Sequence, residues 1–161
     1  LKKYDEKLNP EIKIGFHSHN NLNLAFSNVK AFISYEMNRD IIVDSCVLGM
    51  GQGAGNLQTE IISYYLNEYY NKKYNYSIIL EICELIEKFS PKPLWGYTIP
   101  TLLPALHKVA YKYSINLRER YNLSYREINY LLENISEDLR HRYTQENLEK
   151  LLNLLKMKKD E

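Results

Sequence analysis

Residues Ile12 to Ser18 form a short, apolar-rich run of the kind that makes a strand. A polar break at Asn20-Asn21 follows, and either side chain can cap a helix. Leu22, Ala25, Phe26, Val29, Phe32, Ile33 and Met37 then recur at helical spacing. Asn38-Arg39-Asp40 makes the next turn. Ile41 to Leu48 is nearly continuously apolar, broken only by Asp44 and Ser45, the pattern of a strand buried on both faces. Strand, amphipathic helix and strand within about 40 residues predict a βαβ unit, with parallel strands and a right-handed crossover.

Ligands bind beyond the carboxyl ends of the strands in parallel α/β sheets and barrels. Two unusual segments fall there: His17-Ser18-His19, and the glycine-rich run from Gly49 to Asn56. Beyond Asn56 the pattern is helical, through Ile61, Ile62, Tyr65, Leu66 and Tyr69, then Ile78, Ile82, Leu85, Ile86 and Phe89. Ser90-Pro91-Lys92-Pro93 punctuates the chain and marks a candidate domain boundary. An all-helical tail follows. Ile99 to Tyr113 reads as one segment, Ser124 with Glu127 as a capping box, and Thr144 as the cap of a last helix whose Leu148, Leu151, Leu152 and Leu155 share a face.

The 161 residues exclude a self-contained (β/α)8 barrel, which takes about 250. A net charge of +1 lacks the basic excess of a protein that lives on nucleic-acid phosphate. Lys156, Lys158 and Lys159 form the one basic run, read as a solvated helix terminus. No apolar stretch reaches the length of a membrane span, because Glu81, Glu84 and Glu87 interrupt the longest. The expectation is therefore neither a nucleic-acid nor a membrane partner. The start, Leu1-Lys2-Lys3-Tyr4, shows no signal-peptide pattern and reads as the interior of a longer chain. Cys46 and Cys83 are isolated in apolar surroundings, which suits free thiols in a reducing cytoplasm.

Side chains alternate across a strand, so His17 and His19 project to one face and can grip one divalent cation. The pair is equally compatible with two exposed strand residues. Gly49, Gly51 and Ala54 satisfy the G-x-G-x-x-A pattern of a dinucleotide loop, although no acidic strand end follows at the required distance. The alternative is a loop whose backbone passes close to a bound metal or substrate, with Asn56 offering an amide oxygen. Asp44, within the second strand, reads as a barrel-facing, hydrogen-bonded structural acid rather than a catalytic base. Trp95 and Tyr97 read as an aromatic pair, with Tyr97 able to offer a phenol to a site. His107 and His141 read as surface or interface residues of the tail.

Taken together, the segment Gly15-Phe-His-Ser-His-Asn-Asn-Leu-Asn-Leu-Ala-Phe-Ser-Asn28, the segment Asp44-Ser-Cys-Val-Leu-Gly-Met-Gly-Gln-Gly-Ala-Gly-Asn56, and Glu60 resemble the 4-hydroxy-2-oxovalerate aldolases. These belong to the HMG-CoA-lyase-like (DRE-TIM) metallolyases. Order and spacing match over about residues 11–66, and the tail is similar in kind to the helical C-terminal region of such aldolases. The resemblance implies the C-terminal part of a TIM barrel over residues 1–90 and a helical region over 91–161. It implies that His17 and His19 are metal ligands, for Mn or Mg, with Asn56 at or near the metal and Gly51, Gly53 and Gly55 in a substrate loop. Tyr97 would correspond to the family's substrate-contacting tyrosine.

The implied reaction cleaves or forms a 4-hydroxy-2-oxo acid, with pyruvate as the 2-oxo acid. The family's remaining carboxylate ligand, the arginine of its Asp-Arg-Glu-type motif and its catalytic histidine come from the first strand region, and none is in this sequence. The chain is therefore expected to be inactive without that half. Implied partners are the N-terminal half of the barrel, an aldehyde dehydrogenase docking on the tail, and further copies in a homo-oligomer that hides exposed strand edges. Two rival readings stay open: a dinucleotide-binding domain using the glycine loop, and a non-catalytic helical interaction module.

Overall fold

Two strands, β1 (Ile14–His17) and β2 (Ile41–Asp44), pair in parallel and form the sheet. The computed structural model describes residues 1–90 and 95–159, so Pro91, Lys92 and Pro93 of the expected boundary lie outside the described residues. The chain divides into two compact units, Leu1–Gly96 and Tyr97–Glu161. The fold is mixed α/β, and the predicted βαβ unit is present: helix α2 (Ala25–Ser34) crosses between the strands.

The sheet's inner face carries Phe16 and Val43, packed on a core of Ala25, Val29, Leu57 and Ile62. Phe16 lies 5.2 Å from Phe32, ring centre to ring centre. Helix α3 (Thr59–Tyr70) adds Ile62, and α4 (Tyr76–Phe89) follows it, capped by Asn75, which accepts a bond from the Ile78 N–H. The outer face carries Gly15, His17, Ile42 and Asp44, all exposed.

Three expectations need correction. The second strand stops at Asp44 rather than Leu48, and it is not buried on both faces: Ile42 is 48% exposed. The chain leaves the sheet at Ser45 and turns sharply at residues 47–49, where Leu48 adopts φ 54°. The first crossover helix starts at Ala25, not Leu22, because Asn23 sits at φ 57° and breaks the turn. Asn20 nonetheless reaches the helix start, its Oδ1 accepting from the Ala25 N–H at 3.2 Å. The expected single segment Ile99 to Tyr113 is two helices, α5 (Ile99–His107) and α6 (Lys112–Glu119). Lys108 terminates the first in a left-handed conformation, φ 54°.

Helix α1 (Lys2–Lys7) is polar and carries no hydrophobic period. Arg39 holds it in place. Its guanidinium, 2% exposed, donates to Asp5 Oδ1 at 2.8 Å and to the carbonyls of Asp5, Leu8, Asn9 and Ile12.

In the second unit, α7 (Tyr125–Glu133), α8 (Glu137–Arg140) and α9 (Gln145–Lys159) follow α5 and α6. Their core is Leu103, Tyr113, Leu117, Ile128, Leu131, Leu132, Ile135, Leu148, Leu151 and Leu155. Ser124 and Glu127 form the predicted capping box, and Thr144 Oγ1 accepts from the Asn147 N–H. The Tyr113 hydroxyl lies 2.8 Å from the Leu139 carbonyl and 2.9 Å from that of Arg142.

Candidate active site at the strand ends

The parallel register sets His17 directly opposite Asp44 at the carboxyl ends of both strands. Both side chains lie on the exposed face, and His17 Nδ1 is 3.3 Å from Asp44 Oδ2. Two residues on, His19 returns to the same face, its ring centre 4.9 Å from that of His17 with the rings edge to face. Between them Ser18 is buried, its hydroxyl donating to the Ala25 carbonyl at 3.3 Å.

Beyond the strands, residues 18–20 pair with residues 55–57. The Asn20 N–H donates to Gly55 O at 2.8 Å and the Leu57 N–H to Ser18 O at 3.1 Å. Cys46 pairs in turn with Gln58. The glycine run thus crosses the strand ends as a closed loop whose neck is the Asn56 N–H donating to Gly49 O at 2.9 Å. A Cβ at Gly55 would collide with the Gly49 carbonyl, and one at Gly49 would stand 2.9 Å from Asn56 O, while both residues have positive φ. Only glycine fits there.

Leu48 is held at its left-handed angle from both sides. The Glu60 carboxylate accepts its N–H at 3.0 Å, and the Trp95 indole N–H donates to its carbonyl at 2.8 Å. Gly96 N–H adds a bond to Gly53 O at 3.1 Å. Spacing along the chain could not have revealed the Trp95 contact, since 47 residues separate it from Leu48. The indole of Trp95 serves the loop through that bond. Tyr97 belongs to the second unit, where it is 53% exposed.

The Asn56 carboxamide donates through Nδ2 to Met50 O at 3.0 Å, while its Oδ1 is buried with no hydrogen-bond partner in the protein. A buried, unpaired carbonyl oxygen costs about 1–3 kcal/mol unless something meets it. A Cβ at Gly51 would stand 2.5 Å from Asn56 Nδ2, so the bare glycine is what makes room for this side chain.

The spacing of the two imidazoles suits a shared divalent cation. A nitrogen ligand at about 2.1 Å puts the imidazole centre about 3.2 Å from the ion, so two imidazoles sharing it stand about 4.5–5.2 Å apart. The His17–His19 separation of 4.9 Å fits. Among the described residues, no group of three or more His, Cys, Asp or Glu can hold an ion by itself. The two imidazoles are what the strand ends bring together, while the Asn56 carboxamide lies against Gly51 and Met50 of the loop.

The geometry does not suit a dinucleotide loop. That motif needs a helix opening within it, with its N-terminus on the pyrophosphate. Here α3 opens only at Thr59, after the loop has closed on itself and paired with the first strand's extension. The two cysteines are free, and burial pushes the Cys83 thiol up from its ordinary range, with Glu60 and Glu87 adding to the shift. Among the described residues, no helix is long and apolar enough to cross a membrane.

The HMGL-like family model matches residues 1–86, more than half of the sequence. The chain belongs to the HMGL-like family. Similar curated members include the 4-hydroxy-2-oxovalerate aldolase of Thermomicrobium roseum, 46% identical over 57 residues, and that of Desulfitobacterium hafniense, 49% identical over 53. These matches cover 35% and 33% of this HMGL-like chain and 15% of each relative. Among solved structures, the N-terminal domain of a candidate aldolase from Bacteroides vulgatus superposes with a TM-score of 0.58 at 27% identity. That match covers 70% of this chain and 37% of the other.

Proposed function

We propose that His17, His19 and Asn56 Oδ1 contribute to a divalent metal site, for Mn or Mg, in an aldolase that cleaves or forms a 4-hydroxy-2-oxo acid. The observation that carries the reading is one juxtaposition at the strand ends. Two imidazoles stand at a spacing that suits a shared ion, and their strand extension is paired with a residue whose amide oxygen is buried and unmet. The names of the curated relatives supply the reaction class.

A divalent ion held by His17 and His19 would supply Lewis acidity to the carbonyl and carboxylate of a 2-oxo acid. Neutral imidazoles leave such an ion most of its positive charge. Gly51, Gly53 and Gly55 are proposed as a substrate loop, in which Gly51 makes room for the Asn56 carboxamide and Gly55 for the Gly49 carbonyl. Tyr97 is proposed to contact substrate through its phenol. In the same reading the site is completed by the N-terminal half of a TIM barrel, with residues 1–90 as the barrel part and 91–161 as the helical region. A cytoplasmic setting, a homo-oligomeric state and a dehydrogenase docked on the tail belong to it too.

This chain contains no Asp-Arg-Glu-type motif. The purified 161-residue chain is therefore expected to bind pyruvate only when Mn(II) is present, and to show no aldol cleavage of 4-hydroxy-2-oxopentanoate. Binding is to be followed by pyruvate line-broadening in NMR. Loss of the Mn(II)-dependent binding in His17→Ala and His19→Ala supports the assignment. Equal binding without metal, or in both variants, overturns it, and measurable cleavage overturns the expectation of inactivity.

A further inference from the structure

The pairing of His17 with Asp44 has no part in the metal site as assigned above, and neither side chain is demanded by the core. His17 is 51% exposed and Asp44 57% exposed. Asp44 is nevertheless placed with no freedom of register. Position 44 faces position 17 because Ile14 pairs with Ile41, and a slip of one residue would put Val43 there and turn Asp44 inward. The carboxylate oxygen reaches one ring nitrogen, Nδ1, and leaves Nε2 unengaged by it.

An acceptor on Nδ1 has a chemical consequence. Free neutral imidazole favours the proton on Nε2, which removes that nitrogen's lone pair. A carboxylate beside Nδ1 draws the proton there, exposes the Nε2 lone pair, makes it a stronger donor and fixes the ring plane.

We infer that Asp44 is a positioning residue, holding His17 as the Nδ1–H tautomer so that Nε2 is presented to a divalent cation. The inference rests on the metal-site reading given under Proposed function. Asp44 does not itself contact the ion, which separates this role from that of a third ligand. Among the described residues the carboxylate contact falls on His17, so the effect is assigned to that ring.

Two measurements on the 161-residue chain test it. Long-range 15N–1H spectra of the imidazoles, recorded without metal at a pH where both rings are neutral, report the tautomers directly. Mn(II) binding followed by electron paramagnetic resonance reports affinity. The wild-type chain is expected to show the Nδ1–H form at His17. Asp44→Ala should restore the Nε2–H form at His17, leave His19 unchanged and weaken Mn(II) binding by about tenfold. Asp44→Asn, which keeps an acceptor without the charge, should fall between.

If Asp44→Ala leaves the His17 tautomer as it was, the positioning role is wrong. A shifted tautomer with unchanged affinity also overturns it, as does lost affinity with no tautomer change, which would make Asp44 a ligand. Mn(II) binding that ignores both His17→Ala and His19→Ala overturns the underlying metal reading instead. Backbone amide spectra of each variant confirm the fold, which an exposed side chain with a single partner should not disturb.

Discussion

Gly51 gives the clearest residue-scale case of sequence dictating a site. It lacks positive φ, so backbone freedom does not explain it. Space does, because a methyl group there would meet the Asn56 carboxamide. Gly51→Ala is expected to push that side chain away, break its bond to Met50 and cost about 1 kcal/mol in urea unfolding. Mn(II) affinity should fall with it. Unchanged affinity would show that the Asn56 oxygen serves no ion. The density of glycines was legible in the sequence, as were the same-face histidines. The partners of those residues were not. Asp44 lies 27 residues from His17, and only the parallel register makes them neighbours.

At the scale of elements, hydrophobic periodicity located the strands and helices but misjudged their ends. Polar hydrogen bonding set those limits: Asn20 reaching back to Ala25, Leu48 caught between Glu60 and Trp95, and Lys108 closing α5 in a left-handed turn. Caps with a sequence signature, such as Ser124 with Glu127, were readable in advance because the partners are three residues apart. Helix α1 was not, since it has no apolar stripe and owes its position to one guanidinium. Arg39→Ala would take from the nearly buried Asp5 carboxylate its ion-pair partner, and from four carbonyls the guanidinium donor they share. The expected cost is about 3–5 kcal/mol. Trypsin should then cut at Lys3 and Lys7 much faster than in the wild-type chain. Lysine at position 39 should not rescue, because it cannot fork to the same acceptors. Unaltered cleavage would show that α1 is held by other means.

On the scale of the whole molecule, a mixed α/β unit that carries the candidate site is followed by a helical unit with its own apolar core. The two-stranded sheet covers one face with helix and leaves His17, Ile42 and Asp44 open on the other. The length of Ile41 to Leu48 suggested a fully buried strand because eight apolar-rich residues resemble the interior of a larger sheet. Here only half of them enter a strand, and one of its faces is bare. That open face is the one that carries His17 and Asp44.

The central claim is that the strand ends hold a divalent cation. Mn(II) titrated into the 15N-labelled chain broadens backbone amide signals near wherever it binds, even when binding is weak. Selective loss of signals from residues 17–20 and 55–57, abolished in His17→Ala and His19→Ala, is the result predicted. Broadening spread over exposed carboxylates, or unchanged in both variants, would contradict it.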